Sequence, residues 1–125
     1  MTALICEPIS RQAFSPFGTV MAIEGAERRI INGGTTERFH ALATADTETE
    51  NGKTIVSLFR GQPRRFPYQV GMMERHPLGS QAFYPLTGGD WIAVVADDED
   101  GRPGVPRAFL VPGIVGLQYG ANVWH

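Results

Sequence analysis

Three histidines occur in the chain, His40, His76 and His125, and a lone imidazole most often does nothing beyond packing. His76 is set apart by its company. It lies in the run Gly71-Met-Met-Glu74-Arg75-His76-Pro77-Leu78-Gly79-Ser80-Gln81-Ala82-Phe83-Tyr84-Pro85-Leu86-Thr87-Gly88, which reduces to Glu-x-His, four residues, Gln, six residues, Gly. In extended backbone, residues i and i+2 share a face, so Glu74 and His76 aim the same way and Arg75 the other. The bend through Pro77 and Gly79 turns the chain back, which lets Gln81 face them from the next strand. A carboxylate, an imidazole and a carboxamide on one side of a hairpin have the chemistry for proton transfer or for ligating a divalent ion.

The elements that must position these groups are short. Ala3 to Ile9 reads as a first strand, and Ser10 caps one or two helical turns through Phe14, closed by Pro16 and Gly18. Thr19–Glu24 is a second strand. Asn32-Gly33-Gly34 is a sharp turn, since all three residues tolerate positive φ. Asn51-Gly52 stands between the alternating Thr44–Glu50 and the β-prone Lys53–Arg60, a strong hairpin signal. Pro63 and Pro67 bracket an extended edge piece. Tyr68–Glu74 and Gln81–Pro85 are strands. Trp91–Ala96 carries no polar alternation and is expected to be buried on both faces, and Arg107–Val111 is a further strand. Eight or nine strands at this spacing can close a small β-barrel with a single short helix.

Composition agrees. The 125 residues favour one domain spanning 1–125. Fifteen Gly and nine Pro rule against a long-helix bundle. A net charge of −2 supplies no field for gathering a polyanion, which excludes nucleic acid as a first choice of partner. No apolar stretch approaches a membrane span, and the first residues carry no basic, apolar leader, so a cytoplasmic protein is expected. One cysteine, Cys6, permits neither an intrachain disulfide nor a thiolate zinc site and is expected to be a small buried hydrophobe. Asp97-Asp98-Glu99-Asp100-Gly101 lacks the alternate acidic positions and downstream Glu of a calcium loop. It reads as a solvated hairpin tip.

The Glu74/His76/Gln81/Gly88 spacing resembles the first motif of the cupins, with Glu in place of the first His and Gln in place of the Glu. On that resemblance His125 stands where the second-motif histidine would cross the barrel. Three stretches together resemble the ureidoglycolate lyase (ureidoglycolate hydrolase) family: Ile31-Asn-Gly-Gly-Thr-Thr-Glu-Arg38-Phe39-His40, Glu74 through Leu86, and Asn122-Val-Trp-His125. Weaker similarity at Phe14-Ser-Pro-Phe-Gly18 and Val56-Ser-Leu-Phe-Arg60 extends it over nearly the whole chain. The resemblance implies an all-β, cupin-type double-stranded β-helix with one short N-terminal helix. The family continues past the Trp-His pair, so the barrel is expected to lack its last strands. It also implies cleavage of (S)-ureidoglycolate to glyoxylate and urea in allantoin and purine nitrogen catabolism, a nickel ion and a homodimer. A non-catalytic, small-molecule-binding cupin is the alternative.

That reaction needs a base for the substrate hydroxyl, an acid for the departing urea nitrogen and something positive near the alkoxide. Glu74, His76 and His125 are the candidate catalytic groups. With Gln81 they make a mixed N/O set suited to nickel first, or to manganese or zinc. A metal-free polar pocket stays open, in which Gln81 hydrogen-bonds the carbamoyl group. The substrate carboxylate wants a bidentate arginine. Arg60 at the end of an apolar strand is preferred to Arg38, and Arg75 is expected to be structural. Tyr84 and Trp124 are expected to wall the pocket, and Asn32 to donate to the substrate, although aromatic packing and turn geometry explain these three as well. His40 lies far along the chain and has a weaker claim.

Overall fold

The computed structural model describes residues 3–125. Ser10 opens the one α-helix, α1 (Arg11–Phe14), by accepting a hydrogen bond from the Ala13 amide on its Oγ at 3.0 Å. The helix delivers Phe14, fully enclosed, into the core.

The strands form two three-stranded sheets and two hairpins. In the first sheet β9 (Arg107–Val111) is central, with β1 (Cys6–Pro8) parallel on one side and β6 (Trp91–Val95) antiparallel on the other. In the second, β10 (Gly116–Tyr119) lies between β2 (Gly18–Met21) and β5 (Gln81–Phe83), antiparallel to both. β3 (Glu27–Ile31) pairs with β4 (Thr36–His40), and β7 (Asp98–Glu99) with β8 (Arg102–Pro103). The inward side chains of both three-stranded sheets make one core: Val20, Ala93, Val95, Phe109, Val111, Leu117 and Tyr119, closed by Phe14, Phe17, Val115 and Val123. Gly18 is required where it is, because a Cβ there would overlap the carbonyl oxygen of Gln118 on the neighbouring strand.

The all-β class with one short helix is as expected, but the strands do not close into a barrel. The reason lies in residues 52–80, where Lys53–Arg60 and Tyr68–Glu74 form no strand. Ile55, Val56, Leu58 and Phe59 are exposed there. Asn51-Gly52 makes no hairpin, since Thr49–Asn51 form a 3₁₀ turn and Gly52 leaves it extended at φ −61°, where a type I′ turn demands a positive angle. Trp91–Val95 is buried on one face, through Ala93 and Val95, while Ile92 on the other is exposed. Cys6 is exposed, because β1 is an edge strand that turns Glu7 toward the Arg107 guanidinium and Cys6 outward. The acidic loop is a hairpin tip. Asp100 and Gly101, at φ 52° and 82°, make the two-residue turn between β7 and β8. No helix among the described residues is long and apolar enough to cross a membrane.

Candidate active site

Residues 74–76 reach the site without belonging to a named strand. Backbone bonds tie them to 122–125. The Glu74 amide donates to the His125 carbonyl (2.8 Å), the His125 amide to the Glu74 carbonyl (2.9 Å), and the Asn122 amide to the His76 carbonyl (2.9 Å). On its other edge the 122–125 segment pairs with Ala96, through Trp124–Ala96 bonds of 2.9 and 3.0 Å in both directions. Residues 122–125 therefore sit as a rung between the site and the residue that follows β6.

Alternation along this ladder sorts the side chains. Glu74, His76 and His125 face one way, and their ligand atoms all lie within 4.8 Å of one another. One carboxylate oxygen of Glu74, Oε1, is 3.8 Å from His76 Nε2 and 3.7 Å from His125 Nε2. The second oxygen, Oε2, has no partner among the described residues. Arg75 and Trp124 face the other way.

His125 is the most constrained member, its side chain only 10% exposed. Its ring lies flat against Tyr119, with centroids 4.4 Å apart and planes 12° from parallel. Nδ1 donates to the Val123 carbonyl at 3.1 Å, which leaves Nε2 as the lone-pair nitrogen of the neutral ring. Burial pushes the His125 imidazole below its ordinary pKa and so favours that neutral form. The neighbouring His76 adds to this, and the Val123 carbonyl and Glu74 oppose it. Gln81 Oε1 stands 3.0 Å from Nε2, an oxygen that accepts from this nitrogen whenever it carries a proton. Gln81 is thus brought to the cluster from β5, as the bend at Pro77–Gly79 requires.

The donor set fits a divalent ion. Ligand atoms about 2.1 Å from such an ion lie roughly 3.0–3.4 Å apart, so the present spacing closes onto one by small side-chain rotations. Two imidazoles and a carboxylate, with the Gln81 carbonyl oxygen beside them, are ligands of the borderline type.

The other expected residues are dispersed. Trp124 turns its back on the cluster and donates from Nε1 to Asp98 Oδ1 at 2.9 Å, so it is not a wall of this pocket. Tyr84 donates its hydroxyl to the Ile114 carbonyl at 2.9 Å, a tether between two loops. Asn32 occupies the β3–β4 turn at φ 54°, with its amide nitrogen 3.4 Å from Thr36 Oγ1. Arg60 follows Phe59, whose ring packs 5.7 Å from that of Phe83, and it has no ion-pair partner among the described residues. His40 ends β4 with a buried Nδ1 that has no hydrogen-bond partner, in a separate hollow beside Arg11 and Glu27.

Tyr119 and Phe83 were missed as site residues. Their rings, 5.8 Å apart, form a short aromatic floor that ends on His125. The alternating Leu117-Gln118-Tyr119 was the available signal, since it marks β10.

Comparison with known proteins gives one answer. The family model described as ureidoglycolate lyase matches residues 1–125. Ureidoglycolate lyase 1 of Rhizobium meliloti (strain 1021) is 57% identical over 122 residues, 98% of this chain and 72% of the relative. The ureidoglycolate lyase of Agrobacterium fabrum is 50% identical over 118 residues, 94% of this chain and 71% of its own. That of Chelativorans sp. (strain BNC1) is 48% identical over 125 residues, the whole of this chain and 76% of its own. With the ladder that gathers Glu74, His76 and His125, and with these relatives, the chain belongs to the ureidoglycolate lyase family.

Proposed function

We propose that the chain cleaves (S)-ureidoglycolate to glyoxylate and urea, in allantoin and purine nitrogen catabolism, at the pocket built on Glu74, His76 and His125. The single observation that carries the site is the convergence of those three groups within 4.8 Å across a backbone ladder. Family membership carries the reaction.

The substrate carbon bears a hydroxyl, a carboxylate and the urea nitrogen. Glu74 has Oε1 engaged toward both imidazoles, so Oε2 is the atom assigned to receive the hydroxyl proton. The C–N bond breaks as the carbonyl of glyoxylate forms, its electron pair goes to nitrogen, and the proton held at Oε2 is returned there to complete urea. His125, held in one tautomer by Val123 and stacked on Tyr119, keeps the carboxylate in register. Gln81 is assigned to the carbamoyl group, whose amide pattern it matches. Arg60, with no ion-pair partner among the described residues, is assigned to the substrate carboxylate.

Glu74, His76, Gln81 and His125 would hold a divalent ion, nickel first and manganese or zinc next, which when bound acidifies the hydroxyl and steadies negative charge on oxygen. The proposal includes a homodimer in the cytoplasm. The exposed apolar side chains at 55–59 supply a surface that association would cover. The test is release of urea and glyoxylate from racemic ureidoglycolate, followed against the spontaneous rate. Equal rates with and without protein would refute the activity.

A further inference from the structure

The back of the ladder is as organised as the front. Arg75, between Glu74 and His76, donates from Nη1 to Asp98 Oδ1 at 3.1 Å and to Asn122 Oδ1 at 2.8 Å. Trp124, next to His125, donates from Nε1 to the same Asp98 Oδ1 at 2.9 Å. The Arg75 guanidinium carbon lies 5.2 Å from the centre of the Trp124 ring. Asp98 Oδ2 accepts the Gly101 amide at 3.3 Å, which seats the carboxylate on the tight Asp100-Gly101 turn. Its side chain is 19% exposed.

Arginine and indole nitrogens are donors only, so side by side they need a shared acceptor, and a carboxylate is the one that also balances the charge. Asp98 is that acceptor, and it grips one residue from each of the two segments that present Glu74, His76 and His125. Glu74 and His76 flank Arg75, and His125 adjoins Trp124. Moving either gripped residue moves its neighbours on the opposite face through the rigid alternation of extended chain.

We propose that Asp98 is a positioning residue for the reaction: by clamping Arg75 and Trp124 from behind, it sets the spacing of Glu74, His76 and His125 in front. This rests on the lyase activity proposed above, and it assigns a positioning duty to a β7 carboxylate that touches no substrate atom. A displacement of about 1 Å can cost roughly 100-fold in such a constellation.

The test reads the front of the ladder directly. Asp98→Ala is expected to shift the imidazole ¹⁵N and ¹H resonances of His76 and His125 in substrate-free protein. It should lower kcat about tenfold or more, with KM held within about twofold. Asp98→Asn keeps an acceptor for Trp124 and is expected to recover part of the loss. Asp100→Asn, on the same turn but outside the clamp, should leave both readouts at parental values. Where Asp98→Ala fails to fold, Trp124→Phe keeps the ring, drops the N–H donor and should move the His125 resonances. Parental imidazole resonances in a folded Asp98→Ala or Trp124→Phe variant overturn the proposal, whatever the turnover. Shifted resonances with parental kcat overturn it too. Shifted resonances in a protein that never releases urea would sink the lyase activity and leave the clamp standing.

Discussion

Tyr119 lies flat on His125, 4.4 Å between ring centres, so the last strand of the core forms the floor of the site. Tyr119 is itself almost wholly buried, and burial pushes its phenol up to about 12. In the unfolded chain the phenol ionises near its ordinary value of about 10. Between those two values the native state keeps a proton that the unfolded state has lost, so stability falls as pH rises from about 10 to 12. Denaturant titrations at pH 9 and pH 11 should show the fall, and Tyr119→Phe, which keeps the stack, should abolish this share of it. Tyr119→Ala is expected to cost about 3–5 kcal/mol, as removal of a buried aromatic does.

His125 bends the stability curve at the other end. Its imidazole is held below the ordinary value by burial, so on acidification the unfolded state takes up a proton before the native state does. Stability of metal-free protein should therefore decline as pH falls through and below about 6.5. NMR titration of the imidazoles in chelator-treated protein should find His125 titrating below that point. A His125 that titrates at or above it would contradict the burial described here.

Glu74→Gln removes the proposed base and leaves the shape. A drop in kcat of at least about 100-fold is expected, with the protein still folded by circular dichroism. His76→Ala should produce a loss of the same order.

Arg60→Ala should act on binding. Losing a charged hydrogen-bonding partner for the substrate carboxylate is expected to raise KM about tenfold or more while kcat changes little. A large fall in kcat at unchanged KM would move Arg60 out of that assignment.

Nickel titration followed by calorimetry should find one divalent site per chain. Glu74→Ala and His125→Ala should each weaken it at least about tenfold. Elemental analysis of protein purified without chelator gives the companion measurement.

Much of this site was legible because its logic is local. Glu74 and His76 on one face, Arg75 on the other and Gln81 returned by the Pro77–Gly79 bend all follow from a period of two and a turn. Ser10 as a helix cap and Arg107–Val111 as a strand were equally local. What local rules cannot supply is the partner. The pairing of 74–76 with 122–125 joins residues almost fifty positions apart, and the His125 position came from family resemblance. Trp124 was misplaced for the same reason, since its face depends on which neighbour its backbone pairs with. Lys53–Arg60 has high β propensity, but propensity becomes a strand only by backbone pairing with another strand, and among the described residues none pairs with it.

That same stretch has a practical side. Thr54-Ile-Val-Ser-Leu-Phe59 is an uncharged, β-prone window with most of its apolar side chains open to solvent, the composition that favours intermolecular stacking. Lys53 and Arg60 stand at its two ends, where flanking like charges keep such windows apart. Arg60 thereby serves colloidal stability besides its proposed duty at the substrate carboxylate, and the Arg60→Ala protein should cloud at lower concentration than its parent. Kinetic comparison of the two belongs in dilute solution.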